Sequence, residues 1–160
     1  MRITVQNAQR EAPVNAARMA RLARRAVRRL RLNGSGTMAI TFVGVARLRA
    51  LNRRFLRHDW MTDVLSFRYD GEPVVGEVLI APRAARAYAR AHRISYDSEL
   101  ARYVIHGLLH WLGHQDRTAA QQRKMRTLED NLLSQCGLRA QGSGLRAVAP
   151  SPQPPTPSRA

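Results

Sequence analysis

The chain has 160 residues, enough for a single hydrophobic core, and its 44 % hydrophobic content excludes a wholly disordered protein. No apolar stretch approaches the ~18 residues of a membrane span, and Cys136 is the only cysteine. An integral membrane protein, a disulfide scaffold and a multi-cysteine zinc ribbon are therefore excluded, and a reducing, cytosolic compartment is expected. Lys plus Arg number 27 against 11 acids, a formal charge of +16 that invites a polyanion, either nucleic acid or an anionic membrane surface.

Ile3 and Val5 read as a short strand. Residues 15–32 come next as a helix, with Met19, Leu22, Ala23, Ala26 and Leu30 on its apolar face and Arg18, Arg21, Arg25 and Arg28 on another. The segment is Arg-rich and acid-free, as transit peptides are, but the strand ahead of it favours a place in the folded domain. Its basic face is expected to be a solvated surface; the sharper reading is a phosphate track. A Gly-Ser-Gly turn at 34–36 leads into a β-rich run over 37–43. Residues 46–56 read as a helix with Leu48, Leu51 and Phe55 on one side. Residues 62–69 alternate, placing Leu65, Phe67 and Tyr69 on one face of a strand. Asp70-Gly71 supplies a turn, and 74–80 return as the second strand of a hairpin. Pro82 suits the first turn of a helix running to about His92. Ser95 can cap the next helix, with Asp97 and Glu99 in its first turn and Gly113 at its end. Thr118 and Gln121 form a capping-box pattern opening a last helix with Met125, Leu128 and Leu132 on its apolar side.

The folded part is expected to stop near Cys136–Leu138. The remainder of the chain holds five of the eight prolines and no acid, a composition that does not offset chain entropy. A domain is thus drawn over 1–137 and a flexible tail over 138–160. The element order predicts an α+β fold (an α/β sandwich) with about four strands in a mixed sheet, packed by about five helices.

Residues 96–113 are apolar over most of the helix circumference, which marks a buried helix. One stripe differs. Glu99, Tyr103, His106 and His110 are spaced four, three and four, so they share a face. Two imidazoles one turn apart can reach a common metal ion, and further donors, His114 and Asp116, lie just after the helix-ending glycine. The alternative is a pair of ordinary core histidines, held against by the cost of unpaired imidazoles on so apolar a helix. The zinc-peptidase motif needs Glu directly after the first His, and Gly107 stands there instead. Peptidase chemistry of that kind lacks its base.

On these residues the chain resembles the YbeY family of metal-dependent endoribonucleases of ribosomal RNA maturation. The resemblance rests on HGLLHWLGHQD at 106–116, TDVLSF at 62–67, LNRRF at 51–55, VGEVLI at 75–80 and MRTLEDNLL at 125–133. It implies a zinc ion held by His106, His110 and a third ligand six residues after the second His. That position is Asp116, where the family usually has His. His114 is the rival, because it continues the four-residue spacing; Gly113 should break the helix before it. The resemblance also implies an arginine clamping the phosphate. The family's arginine comes directly after the aromatic of LNRRF, where this chain has Leu56, so the role is carried to Arg57.

Three protein ligands leave zinc an open, catalytic position. Glu99 is weighed as the acceptor that orients a ligand histidine, against the plainer reading of a helix N-terminal acid. His58 and His92 read as surface histidines and Cys136 as a small apolar residue. The expected function is a zinc-dependent, single-strand-specific endoribonuclease acting at the 3′ end of small-subunit ribosomal RNA and in ribosome quality control. Its competitors are a non-catalytic ribosome-associated RNA-binding factor and a metal hydrolase of another substrate. The resemblance further implies contacts with small-subunit ribosomal components and a ribosome-assembly GTPase, and no membrane.

Overall fold

The computed structural model describes residues 1–56, 62–70 and 73–138. Arg57, His58, the turn residue Gly71 and, but for Leu138, the tail expected over 138–160 lie outside the described residues. The elements are β1 (Arg2–Asn7), α1 (Ala16–Arg29), β2 (Thr37–Phe42), α2 (Val45–Leu56), β3 (Val64–Arg68), β4 (Val74–Ile80), α3 (Pro82–His92), α4 (Tyr96–Trp111) and α5 (Ala119–Gln135). Four strands form one mixed sheet in the order β1-β2-β4-β3. β1, β2 and β4 run parallel, and β3 lies antiparallel to β4 at the edge, as the hairpin reading expects. The α+β architecture read from the element order is the one observed.

Alternation along the strands assigns the two faces. Met38, Ile40 and Phe42 of β2, with Val78 and Ile80 of β4 and Val64 of β3, are buried under α1, α4 and α5. The opposite face is thinner: Leu65 and Leu79 pack with Val43 and Leu48, beneath α2. α4 is the central helix. Every residue from Glu99 to Leu109 is buried, because β3, β4, α1, α3 and α5 all pack on it. Its start is capped by Ser95, whose hydroxyl accepts from Ser98 N.

Gly107 is where α4 crosses the sheet. A Cβ there would collide with Val78 Cγ1 and crowd Val64 Cγ1 at 3.2 Å. Ser66 Oγ of the edge strand donates to the Gly107 carbonyl (2.9 Å). The glycine that denies this helix a peptidase base is thus a packing requirement, and it seats the helix against β3 and β4. Among the described residues no helix is long and apolar enough to cross a membrane.

Candidate metal centre

The 3.6-residue period sends Gly107 to the sheet and rotates His106 and His110 to the flank facing α5 and the loop after α4. The rings meet nearly at right angles, with their Nε2 atoms 2.9 Å apart. α4 then ends in a Schellman turn. Gly113 takes φ +95°, its N–H donates to the His110 carbonyl (2.9 Å), and the His114 N–H donates to the Leu109 carbonyl (3.0 Å). That reversal takes His114 off the helical screw and turns the chain back towards the rings. Asp116 is the residue that arrives there. Its Oδ2 lies 3.5 Å from His110 Nε2 and 3.7 Å from His106 Nε2. His106, His110 and Asp116 offer one ligand atom each, all within 4.8 Å of one another, and His114 is outside the group.

These three donors fit a small cation. A tetrahedral zinc held at roughly 2.1 Å by each ligand needs donors roughly 3.4 Å apart, and the observed separations of 2.9, 3.5 and 3.7 Å bracket that spacing. Asp116 is 2 % exposed, and among the described residues neither of its carboxylate oxygens has a hydrogen-bond partner. A buried carboxylate in that state costs several kcal/mol unless a charge faces it. Two imidazoles and one carboxylate are also a donor set that zinc takes readily.

The orientation of His106 comes from α5. Its Nδ1–H donates to Glu129 Oε1 (2.7 Å), because an ionised carboxylate can only accept; in the neutral ring that leaves Nε2, the atom facing His110 and Asp116, as the lone-pair donor. Glu129 in turn accepts from Arg102 Nη1 (2.9 Å), which also reaches Asp130 Oδ1 (2.8 Å). Burial alone would push the Glu129 carboxyl up, but the bonds from His106 and then Arg102 outweigh it and hold it down at about 2. Arg102 keeps its charge for the same reason: burial works against it, and Glu129 and Asp130 restore and raise its pKa. Tyr103, on the same stripe, donates from its hydroxyl to Asp63 Oδ2 (3.0 Å) and ties α4 to the start of β3.

The orienting carboxylate is therefore Glu129. Glu99, weighed for that part from its place on the stripe, lies two turns before His106, with Oε2 3.8 Å from Arg102 Nε. A signal for Glu129 was present: Met125, Glu129, Leu132 and Leu133 share the buried face of α5, and an acid on such a face needs a partner. Arg57 falls outside the described residues. Of the other histidines, His92 is exposed on α3, with its Nδ1 2.9 Å from the Tyr88 carbonyl.

Comparison with known proteins agrees with this geometry. The family described as Endoribonuclease YbeY matches residues 4–137. A protein named Endoribonuclease YbeY from an Anaeromyxobacter species is 37 % identical over 142 residues, covering 80 % of this chain and 73 % of the relative. Those of the same name from Chlorobium luteolum and Flavobacterium psychrophilum are 36 % and 37 % identical, covering 61 % and 54 % of this chain. They are covered over 72 % and 62 % of their own lengths. A solution structure from Thermotoga maritima shares the fold with a TM-score of 0.57 at 21 % identity, covering 84 % of this chain and 88 % of that one. With the family pattern matched across the whole described fold, and two histidines, an aspartate and their supporting glutamate brought together by it, the chain belongs to the YbeY family.

Proposed function

We propose that this chain is a zinc-dependent endoribonuclease that cuts single-stranded RNA during ribosomal RNA maturation, at the 3′ end of the small-subunit RNA, and in ribosome quality control. The observation that carries the reading is the convergence of His106 Nε2, His110 Nε2 and the unpartnered Asp116 carboxylate, in a chain of this family. His106, His110 and Asp116 would hold the ion. When bound, zinc supplies Lewis-acid stabilisation of charge developing on a phosphodiester oxygen and the acidity to make a nucleophile at neutral pH.

The chain's own residues do the rest. Glu129 holds the proton on His106 Nδ1, so that Nε2 stays a lone-pair donor. Arg102 keeps Glu129 ionised and in place. The apolar packing around α4 excludes water from the protein side of the centre, which strengthens its electrostatics. Arg57 is assigned, on the family resemblance alone, as the guanidinium that grips the phosphate. The same resemblance supports a cytoplasmic location and contacts with small-subunit ribosomal components and a ribosome-assembly GTPase.

The test is metal analysis of the purified chain beside His110→Ala, with cleavage of single-stranded RNA measured for both. About one zinc per chain, lost together with cleavage in the variant, is expected. Equal zinc in the two proteins would sink the centre. Undiminished cleavage by His110→Ala would assign the activity elsewhere.

A further inference from the structure

Six of the 27 basic residues of this chain fall on one helix. α1 carries arginines at 18, 21, 24, 25, 28 and 29 and no acid. Arg18 pairs with Asp97, and Arg25 donates to the Cys136 carbonyl at the end of α5 (3.2 Å). The side chains of Arg21, Arg24, Arg28 and Arg29 are exposed and, among the described residues, engage no acid. Two hollows flank this ridge. One, of about 280 Å³, is lined by Arg2, Arg24 and Arg28; the other, of about 500 Å³, by Arg25, Arg28, Arg29 and the last turn of α5. Arg28 lines both, so the basic surface is continuous around the end of α1.

The other side of the same helix decides what this surface fits. Met19, Leu22, Ala23, Ala26 and Val27 are all buried in the main core. A helix that binds a bilayer inserts its apolar face, and this one has none left to insert. Its outward side is dominated by guanidinium groups, whose planar forks match phosphate oxygens two at a time. α5 links the helix that bears the ridge to the metal centre. Glu129, which holds His106, and Cys136, which takes Arg25, are seven positions apart along α5, about 10 Å at 1.5 Å per residue.

We propose that the arginine ridge of α1, formed by Arg21, Arg24, Arg28 and Arg29, is an exosite that grips the phosphate backbone of RNA flanking the segment held at the metal centre. The identity of the polyanion rests on the endoribonuclease reading. The ridge itself is tested by binding, separately from cleavage.

The full metal-loaded chain is titrated against a labelled single-stranded RNA, checked intact on a gel, across a series of salt concentrations. The triple variant Arg21→Gln, Arg24→Gln, Arg28→Gln is expected to weaken binding at least ~10-fold at low salt. It should also flatten the slope of log K against log salt by roughly 2, at about 0.7 per phosphate contact on a single strand. A charge-matched triple on α3, Arg83→Gln, Arg86→Gln, Arg90→Gln, should leave the slope near that of the parent. Should the ridge triple unfold, the single variants Arg21→Gln and Arg24→Gln carry the same reading, each lowering the slope by about 0.7. Equal losses from the two triples would overturn the proposal in favour of net charge. An unchanged slope in the ridge variants would overturn it outright. Loss of binding to phosphatidylglycerol vesicles with RNA binding intact would replace it with a membrane surface. RNA bound through the ridge but never cut would refute the endoribonuclease reading and leave the exosite standing.

Discussion

Glu129→Gln removes one charge from the middle of a buried chain of contacts, and its effect can be worked out beforehand. Glu129 accepts two charge-assisted bonds, 2.7 Å from His106 Nδ1 and 2.9 Å from Arg102 Nη1. Glutamine has the same shape but only one accepting oxygen, so its amide N–H₂ must face either the imidazole N–H or the guanidinium. Donor then meets donor. Each lost bond to a charged group is worth about 1.5–3 kcal/mol, and breaking a buried pair from one side costs about 3–5 kcal/mol. Arg102 retains Asp130, which is 36 % exposed on its side chain, so the lower end of that range is expected. We expect roughly 3 kcal/mol of stability lost, or on the order of 10 °C in Tm for a domain of this size. His106 would lose the acceptor that fixes its tautomer, and zinc affinity should fall about 10–100-fold. Competition titration with a fluorescent zinc chelator reads the affinity, and thermal unfolding of the metal-free chain reads the stability. Glu99→Gln is the comparison: it lies 3.8 Å from Arg102 and should leave zinc affinity within about 3-fold of the parent. A Glu129→Gln chain with parental affinity and parental Tm would refute the orienting role.

The same geometry makes three further outcomes testable. Asp116→Ala should lose zinc while His114→Ala retains it, by metal analysis after dialysis; the reverse would reassign the third ligand. Gly107→Ala should gain at most ~1 kcal/mol of helix propensity but force Val78 off its seat, at about 1–3 kcal/mol. A net loss of about 1 kcal/mol in urea unfolding is expected, and parental stability would show that α4 does not depend on that close approach. Thr118→Ala removes the hydroxyl that accepts from Gln121 N (3.2 Å) and half of the capping box of α5. It should cost about 1 kcal/mol in the same assay, and no change would mean that the box does not anchor the helix.

Much of this molecule is local, and local features are legible in a sequence. The caps at Ser95 and Thr118, the helix-ending Gly113 and the period-2 burial of Met38, Ile40 and Phe42 depend on neighbours within a few residues. The pairing of His106 with His110 is local too, since one helical turn brings them together. The order of elements, the buried helix and two of the three converging donors are accordingly legible in the residues alone, and several motifs in register point to the family. Contacts between distant segments depend instead on how the elements pack. His114 and Asp116 were both available as the third donor, and the reversal at Gly113 brings Asp116 back to the rings. Glu129 lies 23 positions from the histidine it orients; periodicity puts it on the buried face of α5, but only the packing of α5 on α4 says which group it meets. Gly107 reads in the sequence as the absence of a base, and in the fold as the point where α4 touches β4. The net charge of +16 names a polyanion without a location. Burial of the apolar side of α1 gives part of that charge a place, because with one face in the core the arginines of the helix are left on its outer side.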